Sequence, residues 1–330
     1  MRTVAVLATG GTIATRRGED GTVVARAAAE ELVATVRERT GADVDVLVED
    51  VLRVGSYRMT LERMAQVAGR AAAHLRAPGT DGVVVTHGTD TLEETAFFVD
   101  LFVEGERPVV LTGAQRPADA PDSDGPRNLA DAITVATSPE ASGLGTVVVF
   151  DGEVLPARGV RKVHTVASSA FAAPDGGSLG WVREGRVHLA SRREHRPHLD
   201  LGAFDAARAR VDVVACYPGV DATALRAFAA AGARGLVLEA TGAGNATPEI
   251  CDAVAELSAA GLVVVLSTRV PEGPVAAIYG DGGGADLLDA GALLSGRTRP
   301  PQARIALAAL LGVHDDVAAV RETFPRLCSA

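Results

Sequence analysis

Short runs of aliphatic and β-branched residues alternate along this chain with longer amphipathic segments, and this alternation restricts its possible folds more than any other feature. Five mostly apolar runs occupy the first half: Thr3–Leu7, Val44–Val48, Gly82–Thr86, Val109–Thr112 and Thr146–Phe150. Runs that are apolar on both faces are typical of buried strands in a parallel sheet. The amphipathic segments between them include Ala28–Arg39, Thr60–Leu75 and Leu92–Val103. We therefore predict an α/β fold whose parallel strands are joined by crossover helices.

The chain length and one polar stretch predict two domains. A chain of 330 residues exceeds the usual size of a single domain. The segment "WVREGRVHL" (Trp181–Leu189) indicates a hairpin that turns at Glu184-Gly185, and the polar stretch after it contains "SRREHRPH". We predict a larger N-terminal α/β domain over residues 1–190, with a mostly parallel sheet flanked by helices. A linker over 191–210 and a smaller C-terminal α/β domain over 211–330 follow.

The alternation of strands and helices resumes after the predicted linker. The expected strands and helices are, in order, strand Val211–Cys216, helix Ala222–Ala231, strand Gly235–Leu238, helix Pro248–Ala260 and strand Leu262–Leu266.

Charge and cysteine content exclude several kinds of partner. The net charge is −10 and no basic cluster follows a helix face, so neither nucleic acid nor an anionic membrane is expected to bind. No apolar run approaches the roughly 18 residues that a transmembrane helix needs. The first strand leads directly into a glycine turn rather than a cleavage site, so we expect a cytoplasmic protein. The three cysteines, Cys216, Cys251 and Cys328, lack metal-ligand spacing, and we expect reduced thiols, two of them buried, and no cofactor.

Polar residues follow four of the predicted strands of the first domain. These segments are Thr9–Thr12, Gly55–Thr60 ("GSYRMT"), Thr86–Ala96 ("THGTDTLEETA") and Thr112–Ala132, and all are rich in Gly, Thr, Ser or Asp. Ligands of open parallel sheets bind beyond the carboxyl ends of the strands. The sequence therefore predicts a site for a small-molecule substrate at this edge.

Some of these residues also have a purely structural explanation. Gly10 and Gly11 suit a tight turn, because glycine adopts a positive φ without steric cost. Thr91 can cap the next helix, with Glu94 completing a capping box. Neither explanation accounts for Thr12 in the glycine turn.

Three further side chains have chemistry that a turn or a cap does not use. Ser56 and Asp90 together suit a zwitterion, with the hydroxyl and a helix N-terminus binding the carboxylate and Asp90 binding the ammonium. Lys162 is either a solvated surface residue or, if it lies beside Thr89, a proton acceptor whose pKa must be lowered by its surroundings.

Together these motifs resemble the bacterial-type L-asparaginases. The matching segments are "TGGTIA", "GS..MT", "THGTDTLEETA", "GAQRP", "SDGPRNLADA", "STRVPEG" and "PPQARIALAALL", and they cover almost the whole chain in the family's order. The resemblance implies hydrolysis of the side-chain amide of L-asparagine, with lesser activity on glutamine in some members. It also implies a homodimer or homotetramer with sites at the intimate dimer interface.

The resemblance assigns catalytic roles to four residues. Thr12 is similar to the attacking threonine that forms an acyl-enzyme and releases ammonia. Thr89, Asp90 and Lys162 are similar to the second catalytic group, in which Lys162 accepts the proton of Thr89. The backbone N–H of Thr89 is expected to hold the developing oxyanion.

The resemblance also assigns substrate-binding residues. Ser56 and Asp90 are similar to the residues that bind the α-carboxylate and α-amino groups. Ala114 is expected to place its carbonyl near the leaving amide nitrogen. Asn245, in "GAGNAT" (Gly242–Thr247), matches a family loop.

Three positions depart from the family pattern. The segment Thr15–Ala29 lacks the tyrosine that partners the nucleophile, so that phenol is either absent or supplied by Tyr279 or Tyr57. Tyr57 also stands where glutamine is frequent, and we expect its bulk to favour asparagine over glutamine. The acidic residue contributed by the neighbouring subunit has no secure match, although Glu272 and Asp281 lie near in sequence.

Two other functions stay open from the sequence. A glutamine amidohydrolase subunit that supplies ammonia to a partner would use the same residues. A non-catalytic amino-acid sensor on this scaffold would be expected to lack Thr12, Thr89 or Lys162, all of which are present.

Overall fold

The computed structural model describes residues 1–11, 15–17, 23–25, 44–192 and 198–328. These residues divide into two compact units, Met1–His198 and Leu199–Ala330. Both are α/β units built on largely parallel sheets, which confirms the predicted fold class. The predicted helix Ala28–Arg39 lies outside the described residues, as does Thr12.

The first unit is organised around an eight-stranded sheet in the order β12-β11-β8-β7-β6-β5-β1-β4. Strands β4, β1, β5, β6 and β7 are parallel, and β8, β11 and β12 continue the sheet as antiparallel strands. Its strands are β1 (Arg2–Ala8), β4 (Val44–Asp50), β5 (Gly82–Thr86), β6 (Val109–Thr112), β7 (Thr146–Phe150), β8 (Glu153–Pro156), β11 (Gly180–Arg183) and β12 (Arg186–Leu189). Two small antiparallel pairs join β2 (Thr15–Arg17) to β3 (Val23–Ala25) and β9 (Arg161–Lys162) to β10 (Phe171–Ala172).

Three α-helices are described in the first unit: α1 (Leu61–Arg76), α2 (Leu92–Phe102) and α3 (Gly125–Ala136). Short 3-10 helices cover Ser56–Arg58 and Pro139–Ala141. Helix α3 packs its apolar face, including Leu129 and Ile133, against Val84, Val110 and Val147 of the sheet. This packing leaves the carboxyl ends of the central strands free to carry loops.

The prediction that Val44–Val48 is a strand apolar and buried on both faces is wrong in its burial. Strand β4 forms, but its residues alternate between half-buried and exposed, and Leu47 is 44% exposed. The reason is its position at the end of the sheet, where β1 is its only neighbour among the described strands. The hairpin at Glu184-Gly185 is confirmed by the antiparallel pairing of β11 with β12.

The second unit contains a four-stranded parallel sheet in the order β13-β14-β15-β16. Its elements are β13 (Val211–Ala215), α4 (Thr223–Ala230), β14 (Gly235–Ala240), α5 (Pro248–Ala259), β15 (Val263–Thr268), α6 (Gly284–Asp289), β16 (Leu293–Leu294), α7 (Pro300–Val313) and α8 (Val317–Cys328), with 3-10 turns at Leu201–Ala203 and Ala206–Arg208. Cys216, Cys251 and Cys328 are all buried thiols. Across the described ranges, no helix combines the length and apolarity needed to cross a membrane.

Candidate active site

The strand ends that carry the conspicuous loops lie side by side in the first sheet. Ala8 at the end of β1 pairs with Thr86 at the end of β5, and Thr86 pairs with Thr112 at the end of β6. The residues after these three strands therefore start from one edge, as expected for a ligand site of a parallel sheet.

Glycines allow these loops to approach one another more closely than other residues would permit. A Cβ at Gly11, whose φ is +83°, would lie 2.3 Å from the backbone nitrogen of Gly88. A Cβ at Gly113 would lie 2.4 Å from the carbonyl oxygen of His87. The turn after β1 and the loop after β6 thus pack directly against the His87-Gly88 backbone, which precedes Thr89.

Thr89, Asp90 and Lys162 lie together although Lys162 is more than 70 residues away in sequence. The Lys162 ammonium donates to the Thr89 hydroxyl at 2.8 Å and to Asp90 Oδ1 at 3.1 Å. Thr89 is buried, and the Lys162 side chain is only 17% exposed. A lysine held in this way is not a solvated surface residue, and it lies beside Thr89, as the proton-acceptor role would require; that role stays a prediction.

Gln115 is a member of this cluster that the sequence reasoning overlooked. The Thr89 hydroxyl donates to Gln115 Oε1 at 3.2 Å. The other end of the amide faces the backbone carbonyl oxygens of His164 and Thr165, at 3.5 and 3.4 Å from Nε2. The available signal was its position next to Ala114, three residues past the end of β6.

Ser56 anchors the loop that contains Asp90. Its hydroxyl accepts a hydrogen bond from the Asp90 N–H at 3.1 Å, and its carbonyl accepts one from the Thr91 hydroxyl at 2.8 Å. Ser56 is 3% exposed. The expectation that the Thr91 side chain caps the next helix is wrong: Thr91 occupies the N-cap position of α2, but its hydroxyl makes no capping hydrogen bond.

Lys162 is also fixed through its backbone by helix α2. The Lys162 N–H donates to the Glu93 carboxylate, which is buried in the first turn of that helix. Burial raises the pKa of the Glu93 carboxyl, and this hydrogen bond together with the charges of Arg161 and Lys162 opposes the rise. The helix that follows Thr89 and Asp90 therefore also holds the strand that carries Lys162.

His87 is a buried, neutral imidazole beneath the Thr89 loop. Burial lowers its pKa to about 4, against an ordinary value of 6.5. Its Nδ1 lies 2.7 Å from the carbonyl oxygen of Gly88, and because a carbonyl only accepts, Nδ1 carries the proton. The same peptide group carries the N–H of Thr89, so His87 orients that N–H from the opposite side.

Asp124 fixes the Ala114–Gln115 peptide in the same manner. Its carboxylate accepts the N–H of Gln115 at 3.0 and 3.1 Å and that of Arg116 at 2.9 Å. In a trans peptide the C=O and N–H point in opposite directions, so the carbonyl of the buried Ala114 is directed away from Asp124.

The remaining predicted residues differ in their surroundings. Tyr57 is 76% exposed, and its ring lies against Gly55. In the second unit, Asn245 Oδ1 accepts from the Gly284 N–H at 3.3 Å, and Tyr279 is exposed. Thr12 lies outside the described residues, as does most of the segment Thr15–Ala29.

The chemistry available to this cluster is proton transfer among its hydroxyl, amine and carboxylate groups, with the Gln115 amide as a hydrogen-bond partner. Within the described ranges, no three or more His, Cys, Asp or Glu side chains are grouped as a metal ion would require. Hydroxyl groups beside a lysine are typical of sites in which an activated oxygen attacks a carbonyl carbon.

Comparisons with known proteins match both units to one family. The family model described as "Asparaginase, N-terminal" matches residues 3–195, and "Glutaminase/Asparaginase C-terminal domain" matches residues 210–324. The chain is 34% identical over 314 residues to the L-asparaginase of Bacillus licheniformis, covering 95% of this chain and 96% of that protein. It is 38% identical over 328 residues to a probable L-asparaginase of Deinococcus radiodurans, covering 97% and 96%.

One solved structure extends the similarity to three dimensions. The crystal structure of a probable cytoplasmic L-asparaginase from Campylobacter jejuni aligns with a TM-score of 0.88 at 33% identity. The alignment covers 99% of this chain and all of that one.

Proposed function

The chain belongs to the asparaginase family of amidohydrolases, and from this premise we propose that it hydrolyses L-asparagine to L-aspartate and ammonia. The observation that carries the proposal is the hydrogen-bonded chain Asp90–Lys162–Thr89 at the edge of the first sheet. It joins the Lys162 amino group to a hydroxyl beside a buried serine and a carboxylate, the groups that an amino-acid amide requires.

The proposed reaction proceeds through an acyl-enzyme. The Thr12 oxygen attacks the carboxamide carbon, its proton passes to the leaving nitrogen, and ammonia departs as the aspartyl ester forms. Water then attacks the ester, and one of its protons passes to the Thr89–Lys162 pair. The same pair returns a proton to the Thr12 oxygen as the ester bond breaks and aspartate leaves. The contact of Gly11 with Gly88 supports this assignment, because the chain reaches position 12 from a point beside the Thr89 loop.

The substrate's amino-acid head is assigned to Ser56 and Asp90. Ser56 binds the α-carboxylate and Asp90 the α-ammonium, which is supported by the hydrogen bond that already joins them. The N–H of Thr89 stabilises the oxyanion, with its peptide held by His87. Donors of this kind contribute about 3–4 kcal/mol in comparable acyl-transfer sites. The Ala114 carbonyl accepts from the leaving amide nitrogen.

The assembly and the location of the protein are also part of this proposal. We propose a homodimer or homotetramer in the cytoplasm, with sites at the intimate dimer interface and Asn245 as a further substrate-binding residue. The partner of the nucleophile is then Tyr279, Tyr57 or no tyrosine. Exposed apolar side chains beside Lys162 support a covered surface there, since Val163 and Val166 are both more than half exposed. The three cysteines, all present as thiols, are consistent with a reducing compartment.

Glutamine hydrolysis is the second candidate activity. The matched C-terminal model carries glutaminase in its description. Glutamine differs from asparagine by one methylene, which a pocket discriminates by about 1–3 kcal/mol. We therefore propose asparagine as the preferred substrate and glutamine as a slower one.

Ammonia release by the purified chain tests the proposed function. We expect turnover of L-asparagine, slower turnover of L-glutamine, and a fall of about 10³-fold or more in kcat for Thr12→Ala, because the nucleophile is removed. Thr223→Ala, an exposed threonine in the second unit, is the matched control and should retain wild-type kcat.

The outcomes separate the three candidate functions. Mass spectrometry of an acid-quenched reaction should find an aspartyl group on the peptide that contains Thr12. Faster turnover of glutamine would favour the amidohydrolase subunit, and asparagine binding without ammonia release would favour the sensor. Full activity of Thr12→Ala would refute the assigned nucleophile.

A further inference from the structure

The orientation of the Gln115 amide follows from its neighbours. Its Nε2 lies 3.4 and 3.5 Å from two backbone carbonyl oxygens, those of Thr165 and His164, which can only accept hydrogen bonds. The nitrogen therefore faces the carbonyls, and Oε1 faces the Thr89 hydroxyl at 3.2 Å. Since Oε1 can only accept, the single hydroxyl proton of Thr89 is donated to Gln115.

The orientation of the Gln115 amide fixes the donor and the acceptor in each hydrogen bond among Gln115, Thr89 and Lys162. With its proton committed to Gln115, the Thr89 oxygen offers only lone pairs to Lys162, at 2.8 Å. Lys162 must then donate, and it also donates to Asp90 Oδ1 at 3.1 Å. Lys162, as an ammonium, therefore donates to both Asp90 and Thr89, and Thr89 in turn donates to Gln115.

In this arrangement Thr89 cannot pass its proton to Lys162, as the proposed hydrolysis requires. Two changes are needed: Lys162 must lose one proton, and the Thr89 hydroxyl must rotate from Gln115 towards the amine. The two states, with the Thr89 proton directed towards Gln115 or towards Lys162, share the same heavy-atom positions and differ only in their protons. The acceptor at position 115 thus sets the balance between the two states.

We propose that Gln115 is a positioning residue that holds the Thr89 proton in the resting state and so sets the pH dependence of proton transfer from Thr89 to Lys162. The proposal rests on the proposed function, because it assigns Gln115 a part in the same proton transfer. Gln115 acts through Thr89 and needs no contact with the substrate.

Other charged groups near Lys162 also influence the proton transfer between Thr89 and Lys162. Asp90 pairs with the ammonium, Glu93 accepts the backbone N–H of Lys162, and Arg161 precedes it on β9. The side chain of His164 faces its own loop, since its Nδ1 accepts from the backbone N–H groups of Val166 and Ala167. Variants at position 115 leave the charged side chains of this group in the sequence, although they remove the amide hydrogen bonds to the His164 and Thr165 carbonyls.

The pH profile of kcat/KM for asparagine tests the proposal. Gln115→Met keeps a similar size but offers no comparable acceptor for the Thr89 proton, so the arrangement with an ammonium at Lys162 becomes less stable. The rising limb of kcat/KM should therefore move to lower pH by about 0.5–1 unit, as expected for one hydrogen bond. Gln115→Glu offers a charged acceptor, so the rising limb should move to higher pH. Gln66→Met on α1, which removes a hydrogen bond to the Val51 carbonyl, is the matched control and should leave the limb in place.

Opposite displacements for the two Gln115 variants would support the proposal, and unchanged or equal displacements would overturn it while leaving asparagine hydrolysis intact. Neutron diffraction of the deuterated wild-type chain at a pH below the rising limb supplies a readout that needs no turnover. Deuterium between Thr89 Oγ1 and Gln115 Oε1 is the expected result. Deuterium between Thr89 and Lys162, with none towards Gln115, would refute the proposal even if the chain hydrolysed no amide.

Discussion

The two units of this protein end their parallel strands in similar loops but use the polar side chains of those loops differently. In the first unit, Lys162, Thr89 and Gln115 bond to one another through their side chains. In the second unit, the corresponding hydroxyls bond to backbone. The Thr241 hydroxyl donates to the Asn245 carbonyl at 2.9 Å, and the Thr268 hydroxyl donates to the Gly242 carbonyl at 2.7 Å.

This difference shows that a sheet edge is not by itself a site. A hydroxyl that satisfies a loop carbonyl stabilises the loop, and its proton has no further destination. A hydroxyl between an amine and an amide oxygen can direct its proton towards either acceptor. Catalytic potential in this chain therefore depends on side chains that bond to side chains, which are a small minority of hydrogen bonds in proteins.

Removing one hydroxyl from each unit should give the largest difference in kcat/KM between two variants. Thr89→Val is expected to lower kcat/KM for asparagine by about 10²–10⁴-fold, because it removes the hydroxyl through which the proton is proposed to pass. Thr268→Val makes the same change at a buried strand end of the second unit. It should lower the free energy of unfolding by about 1–3 kcal/mol, because the Gly242 carbonyl loses its donor. It should leave kcat within about twofold, because a displacement of the loop that carries Asn245 would act on substrate binding and so on KM.

Steady-state kinetics and urea unfolding of both threonine variants make this comparison. Equal losses of kcat/KM in Thr89→Val and Thr268→Val would contradict the division between a site edge and a scaffold edge.

Local patterns in the sequence predicted the elements but not the contacts between distant ones. The runs of β5, β6 and β7 are apolar on both faces, and all three strands form in the interior of the sheet. Strand β4 has a similar local pattern, but its edge position depends on the order of all eight strands. That order is a property of the whole chain, which no local window contains.

The same limit applies to the candidate site. Thr91 was expected to cap α2 from its local sequence, but its hydroxyl donates to the carbonyl of Ser56, 35 residues away. Gln115 contacts the loop after Lys162, about 50 residues further on. The motifs indicated which loops belong to the site, and tertiary structure decides which atoms pair within them.

His87 predicts that the stability of the first unit depends on pH. Its pKa falls from 6.5 to about 4 on folding, because burial disfavours the charged imidazolium form. Between these two values the unfolded chain binds a proton that the folded chain does not. The free energy of unfolding should therefore fall, by up to about 1.4 kcal/mol per pH unit, as pH decreases from 6.5 towards 4, and this contribution levels off below about 4.

Hydrogen exchange at pH 7 and pH 5 can locate this effect. His87→Asn retains an N–H donor for the Gly88 carbonyl without a titrating group, so the pH dependence of protection in the first unit should be weaker in the variant. Protection in the second unit should respond equally to pH in both proteins. An unchanged pH dependence in the first unit would show that His87 does not carry the effect.

Tyr57 should produce the smallest effect, and its surroundings explain why. A buried wall that excludes one methylene discriminates by about 10–200-fold, but the Tyr57 ring is largely exposed and lies against Gly55. We therefore expect Tyr57→Gln to raise kcat/KM for glutamine relative to asparagine by about tenfold or less, with Ser56 still binding the shared α-carboxylate. Tyr217→Gln, an exposed tyrosine of the second unit, is the matched control and should leave the ratio of the two kcat/KM values unchanged. If both tyrosine variants gave the wild-type ratio, selectivity between the two amides would have to come from the buried residues around Thr89.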